Sequence, residues 1–393
     1  MFYARFPGAL ITSLNTVNVQ QLSFNLQGNN ATALAAGPVF PNTLTSATGL
    51  ATGSRSLSYA GENFRTPYTM QGDVGLEQAL GRRTTLTVSW AFNRGVRMIS
   101  IRDANAGPEG DPVTYRVNDS TGNQVGSFTT PVYRLANRVD PRFQRVNVVE
   151  GASNIWYNAM LVQVANRKVD LGPLVLGGSL SYTWAHTIDE NLGNAGSNLF
   201  FNGGPTSFRN GDYRREKGSS GLDQRHRLVV AQVFGYKPWG SNSGFAKYAV
   251  NNWQLAILGT FASAFGTTPA INGAGIVIPG LPAAFTGSLN GLGGDSRVPF
   301  IPRNFLDVDQ TRRVDARISK DFRLTERSRM TFNFEGFNVF NTPSDTSRRN
   351  QLYNVTGGTT LVPVANYGEG TASAGFPDGT NVRRLQLSLR FTF

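Results

Sequence analysis

The chain is built from runs of alternating apolar and polar residues whose connections switch between very short and very long. Ser328–Asn341 sets Met330, Phe332, Phe334 and Phe340 against Arg329, Thr331, Asn333 and Glu335. Arg312–Leu324 sets Val314, Ala316, Ile318 and Phe322 against Arg313, Asp315, Arg317, Ser319, Asp321 and Arg323. Residues 325–327 alone separate the two runs, which predicts a tight hairpin. The unit recurs in Tyr68–Leu80 with the run from Thr85 to Asn93, in 155–168 with 174–186, and in Arg227–Tyr236 with Trp253–Phe265. An earlier run at Leu14–Leu26 and a closing run at Arg383–Phe393 bring the expectation to about ten strands, because a period of two is the strand period.

Short links follow residues 80, 168, 236 and 324, whereas long ones cover about 27–67, 95–150, 187–224, 266–310 and 342–381. Connections beyond about 12–15 residues are uncommon in a compact domain, yet here every second connection is one. All the long links therefore leave the sheet at one end. Short turns at one end, long loops at the other and strands of about ten residues are the pattern of an antiparallel up-and-down β-barrel of outer-membrane type. In lipid every backbone polar group needs an internal partner, which a closed barrel supplies. The expected fold is all-β, the location is the bacterial outer membrane, the long loops are extracellular, and Arg313, Arg317 and Glu335 line the lumen.

Composition agrees with a wet interior. Apolar residues make up only 40% of the chain while aromatics reach 11%, enough to argue against disorder. Cysteine is absent, which excludes disulfides and thiolate metal sites. The net charge of +12 comes largely from arginines spread along the chain, without a dense basic run, so nucleic acid is not an expected partner. No stretch is long and apolar enough for a membrane-spanning helix. The opening MFYARFPGALITSLN lacks a basic leader and a sustained apolar core and does not read as a signal peptide.

Aromatic placement gives a second check. If the last strand runs down to the periplasm, Tyr68, Trp90, Trp156 and Trp184 fall towards the extracellular rim, and Tyr236, Trp239, Trp253 and Phe393 towards the periplasmic one. Two such belts are expected at the two interfaces of a membrane. Leu385, Leu387, Leu389, Phe391 and Phe393 share one parity of the closing run, and a terminal Phe on that parity resembles the signal read by the barrel assembly machinery.

Several phrases resemble one family, the TonB-dependent outer-membrane receptors of the Oar-like group: RTPYTMQGDVGLEQAL, YTWAHTID, DQRHRLVVAQVFGYKPWG, WQLAILGTFASAFGTTP, RMTFNFEGFNVFNTPS and the closing LSLRFTF. The resemblance spans most of residues 1–393 and implies a barrel of about 22 strands, of which this chain supplies the last ten or so. It also implies active uptake of a large substrate, energised through TonB. No plug domain and no TonB box is found, so coupling to the TonB complex is expected only through an N-terminal part missing here. The chain reads as a partial receptor barrel.

Catalytic chemistry is sparse, and the chain is not expected to be an enzyme. His186 and His226 lack an HExxH pattern, and no metal or cofactor is expected. Asp223-Gln224-Arg225-His226-Arg227 hints at a hydrolase only by composition. The Gly-rich stretches 273–280 and 287–294 introduce no helix and read as loop punctuation. AINGAGIVIPGLPAAF reads as a loop either tucked into the barrel mouth or exposed. FRNGDYRREKG is the best ligand-contact candidate, with Arg209, Asp212, Tyr213, Arg214 and Arg215 placed to bind an anionic substrate or lipopolysaccharide phosphates. The expected partners are outer-membrane lipid, lipopolysaccharide and the assembly machinery. The rival readings are a surface adhesin or binding protein and an outer-membrane hydrolase.

Overall fold

A computed structural model describes residues 56–393 except 191–206, 237–243, 245–248, 274–275, 279–287, 293–295, 374–381 and positions 63, 144 and 326. The run Leu14–Leu26, most of the 27–67 connection and Trp239 lie outside the described residues.

Among the described residues nine strands follow one another in a single antiparallel sheet: β1 (Tyr68–Ala79), β2 (Thr84–Asp103), β3 (Arg145–Leu171), β4 (Leu174–Asp189), β5 (His226–Tyr236), β6 (Trp253–Ala262), β7 (Thr311–Arg323), β8 (Arg329–Phe337) and β9 (Arg384–Thr392). Each long-range neighbour is also the next strand of this set in the chain, as an up-and-down barrel requires. Among the described residues, β1 and β9 are the two edges.

The register holds one parity across the sheet. Leu255 faces Ile318, Ile318 faces Phe334 and Phe334 faces Leu387. One row along, Ile257, Ala316, Gly336 and Leu385 line up in the same way. This face is apolar and uncovered: Val74 is 75% exposed, Leu76 68% and Leu387 66%. A bare apolar face of such extent calls for lipid rather than water.

The opposite parity is polar and cross-linked. Ser319 donates to Asn333 at 2.8 Å, Asn333 donates to Ser388 at 3.1 Å, and Thr331 donates to Asp321 at 2.6 Å. Arg313 pairs with Asp315 at 2.9 Å and Arg317 with Glu335 at 3.4 Å. Arg313, Arg317 and Glu335 thus stand on the face expected for the lumen.

The long connections differ from the sequence expectation. β2 and β3 run 20 and 27 residues, whereas a membrane strand needs about 9–11. Their surplus projects beyond the apolar band, so the 95–150 connection shrinks to about 104–144. A bulge at Gly95–Met98, with Arg97 at φ 58°, marks the change of register at that level. Within the 27–67 connection, Ser56–Ala60 pairs in parallel with Arg145–Val149.

Three long connections fold together as a body of their own. Ala270–Asn272, Gln351–Thr356, Thr360–Pro363, Gly110–Asn118 and Gln124–Val132 form, in that order, a five-stranded mixed sheet. Its core holds Tyr115, Val132, Ile271, Ile276, Ile278, Leu289, Val298 and Leu361. Over its described part the segment AINGAGIVIPGLPAAF is therefore packed rather than loose. Ile271, Ile276 and Ile278 are each under 5% exposed because they fill this second core.

Candidate functional site

Two features stand out: the polar face of the sheet and the folded body at its long-loop end. Residues from the β1–β2 turn round to β9 line one open cavity of about 1310 Å³ on the polar face. Because both ends of the sheet contribute to it, that face is concave. Arg83, Arg317, Arg323, Arg329 and Arg390 dominate the lining, with Asp321 among them. Arg329 approaches Asp321 at 3.8 Å and Arg83 pairs with Asp170 at 2.9 Å, so part of the charge is balanced internally. The remainder gives the short-turn end of the concavity a positive lining suited to anionic or strongly hydrated solutes.

The loop body is held to the barrel by buried ion pairs. Glu216, with its side chain fully buried, meets Arg297 at 2.9 Å and accepts from the Phe208 amide at 2.8 Å. Arg303 meets Asp189, the last residue of β4, at 2.5 Å and also donates to the carbonyl oxygen of Glu216. Asp103, the last residue of β2, accepts from the Val146 amide at 2.9 Å and faces Arg138 at 3.6 Å. Burial pulls the Arg138 guanidinium below the usual arginine range, which the Asp103 carboxylate partly offsets. Single-residue breaks in such buried pairs are costly, so the body sits firmly on the strand ends.

The ligand-contact candidates divide. Tyr213 is buried and donates to Glu150 at 3.0 Å; burial, then Glu150, pushes its phenol well above the ordinary tyrosine value. Arg209 pairs with Glu109 at 3.3 Å, and Asp212 with Arg215 at 3.1 Å. Arg214 and Arg215 are the members of the set exposed at the surface. The sequence reading passed over Glu216, the neighbouring residue that anchors this segment. A glutamate in a basic run carries no local sign that it is buried.

The two histidines sit on the apolar parity at the long-loop end. His226 stacks on Tyr182, with its Nδ1 2.8 Å from the Tyr182 hydroxyl. Asp223 reaches His186 at 3.1 Å rather than His226, and Arg225 contacts Asp223 at 3.0 Å.

The rim aromatics also divide by level. Trp90 and Trp184 pack at 6.1 Å, and Trp156 and Tyr68 lie nearer the long-loop end, each beside an arginine. At the short-turn end Tyr236 and Trp253 are cross-strand partners, and the Trp253 indole donates to the Ala249 carbonyl at 2.8 Å. Leu385, Leu387, Leu389, Phe391 and Phe393 are all exposed on the apolar face, with Phe393 95% exposed.

The family described as an outer membrane beta barrel domain matches residues 1–386. A solved structure, the outer membrane transporter YddB from Escherichia coli, aligns with 88% of this chain at 8% identity and a TM-score of 0.43. The chain spans 35% of that transporter's length. Among curated proteins none matches the sequence.

Proposed function

This chain belongs to the outer membrane beta barrel domain family, and on that premise we propose that it is the barrel portion of a TonB-dependent, Oar-like transporter for a large substrate. Its place is the bacterial outer membrane. The observation that carries the transport reading is the cation-rich concave face, open as a cavity of about 1310 Å³, beneath a folded body at the long-loop end. That body would meet the substrate outside the cell, and the polar face would form one wall of its path. Coupling to the TonB complex would run through a further segment beyond this chain.

The chain acts in this reading as a conduit and not as an enzyme. The Asp–His contact joins Asp223 to His186, and His226 is engaged by Tyr182. Cross-linking of intact source cells, followed by capture through an antibody to Arg383–Phe393, tests the reading. TonB should be recovered with the protein. Recovery of the barrel assembly machinery without TonB would overturn it.

A second reading, a surface-binding protein, rests on the loop body having a buried core of its own. It predicts that loss of TonB leaves every binding property of the cell surface unchanged.

A further inference from the structure

Three cations gather on the outward side of the sheet, at the long-loop end. The Arg94 guanidinium carbon lies 6.0 Å from the centre of the Trp156 ring, and the Lys217 ammonium lies 4.4 Å from the same ring. The Arg97 guanidinium carbon lies 5.9 Å from the Tyr68 ring. Arg94 is on the apolar parity of β2, cross-strand from Met70 and from Trp156. Arg94 and Lys217 are both exposed.

These cations are not used internally as their neighbours are. Arg102, Arg209 and Arg215 each have a carboxylate, from Glu150, Glu109 and Asp212. Among the described residues no carboxylate pairs with Arg94, Arg97 or Lys217. The aromatic rings hold the charged heads in place, while their outer faces stay free for an anion.

Their height fits one layer of the membrane. From Thr84 to Arg94 the strand climbs roughly 25 Å at about 3.3 Å per residue and a tilt of about 40°, the height of the apolar band of such a barrel. The cations therefore stand at the far headgroup level. Directly beneath them Val74, Leu76, Trp90 and Phe92 present bare apolar surface, from 75% exposed at Val74 to 40% at Trp90. Anion sites above and a lipid-wetted wall below ask for one ligand with both parts. Arginine favours phosphate oxygens, which it meets with two parallel hydrogen bonds.

We propose that Arg94, Arg97 and Lys217, set around Trp156 and Tyr68, bind the phosphate groups of an outer-leaflet phosphorylated glycolipid of the lipopolysaccharide type, whose acyl chains lie on Val74, Leu76 and Phe92. Lys217 comes from the same basic segment as Arg209 and Arg215, but those two arginines are already paired with Glu109 and Asp212, whereas Lys217 lies against Trp156. It requires the outer-membrane location alone and is independent of the transport reading.

The test uses the full protein extracted from outer membranes in mild detergent. Native mass spectrometry counts the glycolipid that stays bound, with heat-dependent electrophoretic mobility as the check of barrel assembly. The wild type should retain phosphorylated glycolipid. The pair Arg94→Gln with Lys217→Gln should lose it about tenfold, and the single variant Lys217→Arg, which keeps the charge, should keep it. For the wild type alone, glycolipid stripped of its phosphates should bind about tenfold less than the intact form, a comparison that needs no variant to assemble. Equal retention by the Gln pair, or equal binding of the dephosphorylated lipid, would overturn the proposal. Displacement by millimolar inorganic phosphate alone would reassign the site to a soluble anion and overturn the glycolipid.

Discussion

The Tyr115 hydroxyl donates to the carbonyl oxygen of Leu289 at 2.7 Å, joining the connection after β2 to the connection after β6 across 174 positions of sequence. Both residues are fully buried. A bond of this span makes separate connections behave as one body, so a disturbance of one should be felt in the other.

Tyr115→Phe keeps the ring in the core and leaves the buried Leu289 carbonyl without its donor. The cost should be about 1–3 kcal/mol to the loop body. Hydrogen exchange should show faster opening at 288–292, with strands β1 to β9 unchanged.

Arg303→Met should be more damaging, by about 3–5 kcal/mol, because it strands the buried Asp189 carboxylate at the end of β4. Adding Asp189→Leu should recover much of that loss, since an apolar pair avoids the uncompensated charge. Limited proteolysis of the loop body in detergent measures both. Recovery absent in the double variant would mean the pair is not the latch.

Parity separates lipid from lumen along β9. Leu387→Arg places a charge on the lipid-facing parity and should impair insertion by roughly 2–4 kcal/mol near the bilayer midplane. Ser388→Arg, beside Asn333 on the polar face, should be far milder. Assembly yield by heat-dependent mobility reads the difference.

Alkaline pH should open the loop body before the barrel. Burial pushes the Tyr115 and Tyr133 phenols up to about 12 from an ordinary value of about 10. A raised folded-state value means the stabilisation is complete below pH of about 10 and is lost as pH rises towards about 12. Proteolysis of the loop body should accelerate across that window, and Tyr115→Phe should remove part of the dependence.

The membrane part of the fold was legible because lipid enforces one rule on every strand: Leu76, Ile318, Phe334 and Leu387 all obey the same alternation. The surplus of β2 and β3 was not legible, because beyond the bilayer the outward face packs on protein and Ile99, Ile101 and Val149 join a small core with Phe64. Val113, Tyr115 and Val117 do carry a strand pattern, followed by the Asp119–Gly122 turn. What the sequence conceals is the partner: Ile271, Leu289 and Leu361 reach the same core from distant connections, and local periodicity says nothing about such contacts. Tyr213 and Glu216 turn inward for the same reason, while Arg214 and Arg215 remain at the surface.

The central claim is that β1 to β9 cross the outer membrane with the loop body outside the cell. These 393 residues hold no cysteine, so a single introduced one reports on its own position within them. Gln124→Cys lies exposed in the loop body and Arg82→Cys lies exposed in the β1–β2 turn. Intact cells treated with a membrane-impermeant thiol reagent should label Gln124→Cys at once and Arg82→Cys only after the outer membrane is permeabilised. Labelling of both in intact cells, or of Arg82→Cys alone, would contradict the account.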